Sequence, residues 1–270
     1  MDTDAYMHSL LVSHPLREEM LREAINNLAI PPGSRGLDVG CGIGLQTLLL
    51  AEGVGPEGHI TGLDSCPEFL ARAGEIVRDS GLGERISFQQ GDMNQLPFDD
   101  NSFDWLWSVD CAGYAPGRRP VPLLKELARV VKPAGTVAIL VWSSQQILPG
   151  YPLLEAHLNA TSSGLAPFVK GESPETHFMC ALGWFREAGL EERAFKTFAG
   201  SARAPFDDDI RQALVSLIQM RWVDVQPELS SDDWEEYQRI CKPESEDFIL
   251  NYPDYCAFFT CSMFRGRVPR

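Results

Sequence analysis

The chain is predicted to fold as an α/β protein built on a doubly wound parallel sheet, and three features predict it. Strand-like and helix-like segments alternate through the first half of the sequence. A glycine-rich turn, Gly40-Cys41-Gly42-Ile43-Gly44, joins the first strand pattern to a helical one. The run Val137-Ala138-Ile139-Leu140-Val141-Trp142 is apolar without alternation, as expected of a strand covered on both faces. Repeated strand-helix units close with right-handed crossovers into one parallel sheet.

Taken in order, residues 3–30 carry apolar positions at mixed three and four spacing (Leu10, Leu11, Leu16, Met20, Leu21, Ile25, Leu28), which predicts one or two helices broken near Pro15. Pro31-Pro32-Gly33 ends them. A strand over 35–40, a helix over 44–52, a strand over 59–64 and a helix over 67–80 follow, then strands over 85–90 and 103–109, a helix over 121–131 and a strand over 136–142. The pattern loosens between 150 and 174, where Ser, Pro and Gly are frequent. A helix over 178–188, a strand over 191–199 and helices over 207–223 and 231–241 come next, and Tyr255-Cys256-Ala257-Phe258-Phe259-Thr260-Cys261 reads as the last strand.

With 270 residues, 44% of them hydrophobic and 10% aromatic, the chain can bury a large core in one or two domains. The acidic N-terminus and the lack of any apolar run near the roughly 18 to 20 residues that span a bilayer predict a cytoplasmic protein with no membrane span. Seven cysteines without a C-x-x-C pair fit reduced thiols better than a disulfide framework or zinc site, so no metal is expected. A net charge of −15 opposes a phosphate backbone and disfavours nucleic acid as a partner. The basic pair Arg118-Arg119, in a Pro-Gly-rich loop, reads as solvated loop charge.

The glycine spacing narrows the ligand. A dinucleotide fingerprint requires G-x-G-x-x-G, but Leu45 stands where the third glycine belongs and Gly44 falls one residue early. Asp38-Val39-Gly40-Cys41-Gly42-Ile43-Gly44 instead resembles motif I of the class I S-adenosyl-L-methionine (SAM) methyltransferases. Gly62-Leu63-Asp64, Gly91-Asp92-Met93-Asn94-Gln95-Leu96-Pro97-Phe98, Phe103-Asp104 and Lys132-Pro133-Ala134-Gly135-Thr136 follow in that family's order, with Ala134 in place of a glycine. The resemblance covers about residues 33–143. It implies a Rossmann-like, seven-stranded, mostly parallel sheet with an antiparallel edge hairpin. The chain then divides into N-terminal cap helices (1–32), the cofactor core (33–143), a remaining core helix and strand with a cap loop (144–204), a helical insertion over the substrate mouth (205–254) and the last strand and tail (255–270).

In open α/β sheets ligands bind beyond the carboxyl ends of the strands. The resemblance places Asp38, Gly40, Cys41, Gly42 and Gly44 around the methionine part of SAM, with Asp38 facing the α-amino group. Asp64, 20 residues after Gly44, suits both ribose hydroxyls; the competing reading is an N-cap for the helix beginning near Pro67, a duty that its neighbour Ser65, also assigned to the cofactor, would serve better. Asp92 matches the position that accepts from the adenine amino group, with Met93 beside the ring, although a turn aspartate would look the same. Ser108 lies on the cofactor side, and Asp110 faces the acceptor, with Tyr114 and His177 as further candidates for catalysis.

Cys41, Cys66 and Cys111 also fall at this end and invite a thiol reading, but their spacing does not reproduce that of the arsenite methyltransferases. Ser108-Val109-Asp110-Cys111 replaces the Asn/Asp-Pro-Pro-Tyr/Phe tetrad of enzymes that methylate adenine or glutamine nitrogen. The expected reaction is in-line transfer of the methyl group to carbon, oxygen or sulfur of a small, neutral or apolar acceptor, the group that includes ubiquinone and menaquinone methyltransferases. A non-catalytic SAM-binding regulator or scaffold is the alternative, and an NAD-dependent oxidoreductase the third.

Overall fold

The computed structural model describes residues 3–114 and 120–270, so Arg118 and Arg119 lie outside the described residues. Seven strands form one sheet in the order β3-β2-β1-β4-β5-β7-β6. These are β1 (Arg35–Val39), β2 (His59–Asp64), β3 (Ile86–Gln90), β4 (Phe103–Val109), β5 (Val131–Gln146), β6 (Glu191–Arg203) and β7 (Cys256–Arg267). β1 pairs in parallel with β2 and β4, β2 with β3, and β4 with β5. The sheet is mostly parallel with antiparallel edge strands, as the sequence predicts. The strand order reverses between β1 and β4, the switch point where such sheets open a crevice.

Strand lengths differ from expectation in one informative place. β5 starts at Val131, not 136, because Val131 pairs with Phe103 before the register slips and resumes at Thr136 opposite Trp105. The slip coincides with Ala134, which adopts φ +63 where the resembling family carries glycine. Periodicity cannot be read through such a bulge. β6 and β7 likewise run past their expected ends, to Arg203 and Arg267.

The chain groups into two compact units. The larger, residues 20–142, 173–198 and 261–270, holds α2 (Glu18–Leu28, from Met20 on), α3 (Leu45–Val54), α4 (Pro67–Ser80), α5 (Pro120–Arg129) and α8 (Ala181–Glu187). On one sheet face, Leu37, Val39, Leu106, Val137, Ile139 and Val141 pack with Leu123, Leu124 and Leu127 of α5 and Trp184 and Phe185 of α8. On the other lie the alternate side chains of β1 and β4: Trp105 lies over Gly36, where an added Cβ would clash with the indole, and donates from Nε1 to Ser34 Oγ at 2.8 Å.

The smaller unit, residues 1–19, 143–172 and 199–260, holds α1 (Thr3–Ser13), α6 (Pro152–Asn159), α7 (Ser162–Leu165), α9 (Asp208–Arg221) and α10 (Ser231–Cys241). α1 packs on α9. Asp207, Ser230 and Thr161 each accept a backbone N–H as N-caps of α9, α10 and α7. The break near Pro15 appears as a 3-10 turn over His14–Leu16. α2 groups with the sheet rather than with α1, because Met20, Leu21, Ala24, Ile25 and Leu28 are all buried and Arg22 pairs with Glu52 of α3 at 2.7 Å. Among the described residues no helix is long and apolar enough to cross a membrane.

Candidate active site

The glycine turn leaves β1 and is strapped to the end of β2. The N–H groups of Gly40 and Cys41 both donate to Leu63 O, at 2.8 and 3.0 Å, and Gly42 N–H donates to Asp64 Oδ2 at 2.9 Å. Gly40 sits at φ +74, and a Cβ there would clash with Cys111 Sγ, so both the backbone conformation and the room require glycine. This close approach brings the loop after β1 against the loop after β4.

Asp38, at the end of β1, is fully buried. Its Oδ2 accepts from Thr47 Oγ1 of α3 at 2.6 Å, while Oδ1 has no partner. Burial raises its pKa to about 7, against the lowering effect of the Thr47 bond, and the charge of Asp64 adds to the rise. Asp64 ends β2 with both carboxylate oxygens engaged by backbone, Oδ2 with Gly42 N–H and Oδ1 with Cys66 N–H at 3.0 Å. Each oxygen retains a second lone pair. Ser65 is exposed and does not cap α4: Cys66 holds that position without a side-chain cap bond, and Ser65 O accepts from Gln90 Nε2.

Asp92 is exposed and shapes its own turn, accepting from Asn94 N–H and Asn94 Nδ2 at 2.8 and 2.9 Å, bonds that hold its carboxyl below the ordinary range. Met93 is partly buried against the core. The Leu96-Pro97-Phe98 end of this segment is pinned by two residues that sequence reasoning did not single out. Glu126 Oε1 accepts from Leu96 N–H at 2.7 Å, and Arg129 donates to Leu96 O and Phe98 O at 3.1 and 2.9 Å. Their i,i+3 spacing on a helix is legible, but the loop they hold is not.

At the end of β4 Ser108 is buried, donating to Val39 O at 2.7 Å and accepting from Ala112 N–H at 3.1 Å. It joins β1 to the turn that presents Asp110. Asp110 stands at φ +46, and its Oδ1 accepts from Tyr114 Oη at 2.7 Å and from Trp142 N–H at 2.6 Å. The structure therefore brings Asp110 and Tyr114 together as a bonded pair. His177 caps the 3-10 turn Phe178–Cys180, accepting from Met179 N–H at Nδ1, with its ring 4.3 Å from that of Phe178; burial lowers its pKa.

Burial pushes the Cys41 thiol far above its ordinary range and the Cys111 thiol up to about 12, with Asp38 and Asp64 adding to both. Both remain protonated at neutral pH, which suits compact packing and opposes a nucleophilic or metal-binding role. Two other motif segments meet at the opposite ends of the strands: Lys132 Nζ contacts Asp104 Oδ1 at 2.7 Å, and Arg35 N–H donates to Asp104 Oδ2 at 2.7 Å. They hold the sheet together, away from the switch-point crevice.

The cluster of Asp38, the glycine turn and Asp64 fits a nucleoside carrying a cationic amino group, since the buried, unpartnered Asp38 oxygen is an acceptor in need of a donor.

Residues 37–135 match the family model described as a methyltransferase domain. The chain is 36% identical over 197 residues to a sterol 24-C-methyltransferase of Gibberella zeae, covering 70% of this chain and 49% of that protein. It is 37% identical over 145 residues to a demethylmenaquinone methyltransferase of Bacillus cytotoxicus, covering 52% and 58% respectively. It thus spans about half the length of these curated relatives. A solved SAM-dependent methyltransferase from Aquifex aeolicus shares the fold, with a TM-score of 0.53 at 23% identity over 71% of this chain and 89% of that one. The methyltransferase resemblance carried by the glycine turn and the motifs after it holds for this domain and for the fold.

Proposed function

We propose that the protein is a SAM-dependent methyltransferase acting on carbon, oxygen or sulfur of a small, neutral or apolar acceptor. The observation that carries this reading is Asp38, a buried carboxylate with one oxygen unpartnered, beside a three-glycine turn and Asp64 in a methyltransferase domain. The acceptor class is supported by the names of the relatives, which act on a sterol and on demethylmenaquinone, and by Ser108-Val109-Asp110-Cys111 in place of an amide- or adenine-type tetrad.

Bound SAM would supply a methyl group already activated by its sulfonium, so the chain mainly has to bind, orient and exclude water. Asp38 offers its open oxygen to the α-amino group, directly or through water, Asp64 its remaining lone pairs to the ribose hydroxyls, and Asp92 with Met93 the adenine edge and face. Asp110, fixed by Tyr114 and Trp142 N–H, orients the acceptor or takes its proton. His177 is a second candidate base, because burial favours the neutral imidazole that accepts a proton.

The test incubates the purified protein with methyl-labelled SAM and source-cell extract, then separates small molecules, lipids, proteins and nucleic acids. Label in the small-molecule or lipid pool, lost in Asp64→Ala, is the expected result. Label in protein or nucleic acid, or none despite tight binding of S-adenosylhomocysteine, overturns the acceptor assignment. With the acceptor in hand, Asp110→Ala should lower kcat by about 100-fold or more while SAM affinity stays within about threefold. Unchanged turnover removes Asp110 from catalysis.

A further inference from the structure

The two tryptophans on β4 differ in a way that the fold alone does not require. Trp105 and Trp107 lie two apart on one strand and so face the same side of the sheet. Trp105 donates its indole N–H to Ser34 Oγ at 2.8 Å, whereas Trp107, fully buried, has an Nε1 without any partner. Leaving a buried donor unsatisfied is costly, and a phenylalanine would supply an aromatic ring without that cost.

The register of β1 and β4 pairs Trp107 with Asp38, just as it pairs Trp105 with Gly36, over which the Trp105 ring lies. Cross-strand partners share a face, so Trp107, with its unpartnered indole N–H, and Asp38, with its unpartnered Oδ1, lie opposite each other on the same buried face of the sheet. One is a donor and the other an acceptor, and they do not bond each other directly. Other groups do not fill the gap. Thr47 of α3 takes the other Asp38 oxygen, the Cys41 thiol donates to Gly42 O at 3.8 Å, and Asp64 accepts from the Gly42 and Cys66 N–H groups.

We propose that Trp107 is a positioning residue for the cofactor: its indole N–H and Asp38 Oδ1 share one buried water, which accepts from the indole, donates to the carboxylate and offers its remaining lone pair to the α-amino group of the bound sulfonium nucleoside. This inference rests on the SAM reading above. Buried waters commonly make about three hydrogen bonds, and this site supplies two from the protein and the third from the ligand. The bridge sets the direction from which the ammonium group is met, and the ammonium charge offsets the burial and the neighbouring Asp64 that raise the Asp38 pKa.

The test compares wild type, Trp107→Phe, Asp38→Asn and the double variant by calorimetric titration with two ligands. S-adenosylhomocysteine carries the amino acid part, and methylthioadenosine keeps adenosine and sulfur but lacks it. Trp107→Phe should weaken S-adenosylhomocysteine about fivefold and leave methylthioadenosine within about twofold, and it should add nothing in the Asp38→Asn background. Equal weakening of both ligands, no weakening, or an additive loss in the double variant overturns the proposal, because a merely packed indole behaves in one of those ways. Wild type that binds neither ligand overturns the SAM reading itself. Should Trp107→Phe fail to fold by circular dichroism, a high-resolution crystal structure of wild type decides the matter: a water peak within hydrogen-bond distance of both atoms supports the bridge, and its absence overturns it.

Discussion

Among the described residues, each of the two units buries one carboxylate, and the two are finished in opposite ways. Asp38 in the larger unit is fully buried with a single bond, to Thr47, and one oxygen left open. Glu155 in the smaller unit, 4% exposed, accepts from the Ile147 and Leu148 N–H groups, one at each oxygen, at 2.9 and 3.1 Å. Burial raises both pKa values, but backbone bonds oppose the rise at Glu155 where only a hydroxyl does at Asp38. The carboxylate with both oxygens occupied holds a chain segment in place, and Tyr255 Oη, donating to Ile147 O at 3.0 Å, holds the same segment. The one with an oxygen open is prepared to meet something else.

Removing the structural member should have the largest effect. Glu155→Ala leaves two buried N–H groups without an acceptor and should lower the unfolding free energy by about 3 kcal/mol in denaturant titration, while the folded fraction binds S-adenosylhomocysteine with unchanged affinity. If stability is retained, the two carboxylates differ less than their bonds imply.

Thr47→Val carries Asp38 further from Glu155 by taking its only partner. Stability at pH 8 should fall by about 2 kcal/mol, and by less at pH 6, because a hydrogen bond to the ionised carboxylate is worth more than one to the protonated form. Equal losses at the two pH values would mean that Asp38 does not titrate between them.

The smallest stability change is expected for Asp38→Asn, within about 1 kcal/mol because the uncompensated charge disappears, with cofactor affinity about tenfold weaker. Its pH signature distinguishes it. The folded pKa of Asp38, about 7, lies above the ordinary 3.8, so its contribution to stability is complete below the ordinary value and is lost as pH rises through about 7. Affinity for the amino group moves the other way, since it needs the ionised form. Thermal unfolding and calorimetric binding between pH 5.5 and 8 should therefore show opposed slopes in wild type, and Asp38→Asn should flatten both.

Much of this was legible in the sequence. The alternation of apolar runs located six of the seven strands within a few residues at their starts, and the glycine turn marked the crevice. The start of β5 was not legible, because a bulge at Ala134 interrupts the period. α6 and α7 were not either, since they lie in a stretch rich in Ser, Pro and Gly and depend on Thr161 and on the buried Glu155. At the site, the positions of Asp38, Asp64, Asp92 and Asp110 at strand ends could be read, but their bonding could not. Ser65, read beside the cofactor, is an exposed residue next to the cap position, and Ser108 spends its hydroxyl on Val39 and Ala112.

Residue order fixed what depends on near neighbours: the strand-helix alternation, the turn that admits only glycine beside Cys111, and which carboxylates end strands. Tertiary structure decided which of those carboxylates is satisfied. Asp38 meets Thr47 nine residues on and faces Trp107 across β1 and β4, while Asp110 meets Trp142 N–H 32 residues away. Such pairings are set by sheet register and helix packing, which bring together groups whose separation along the chain carries no period to read.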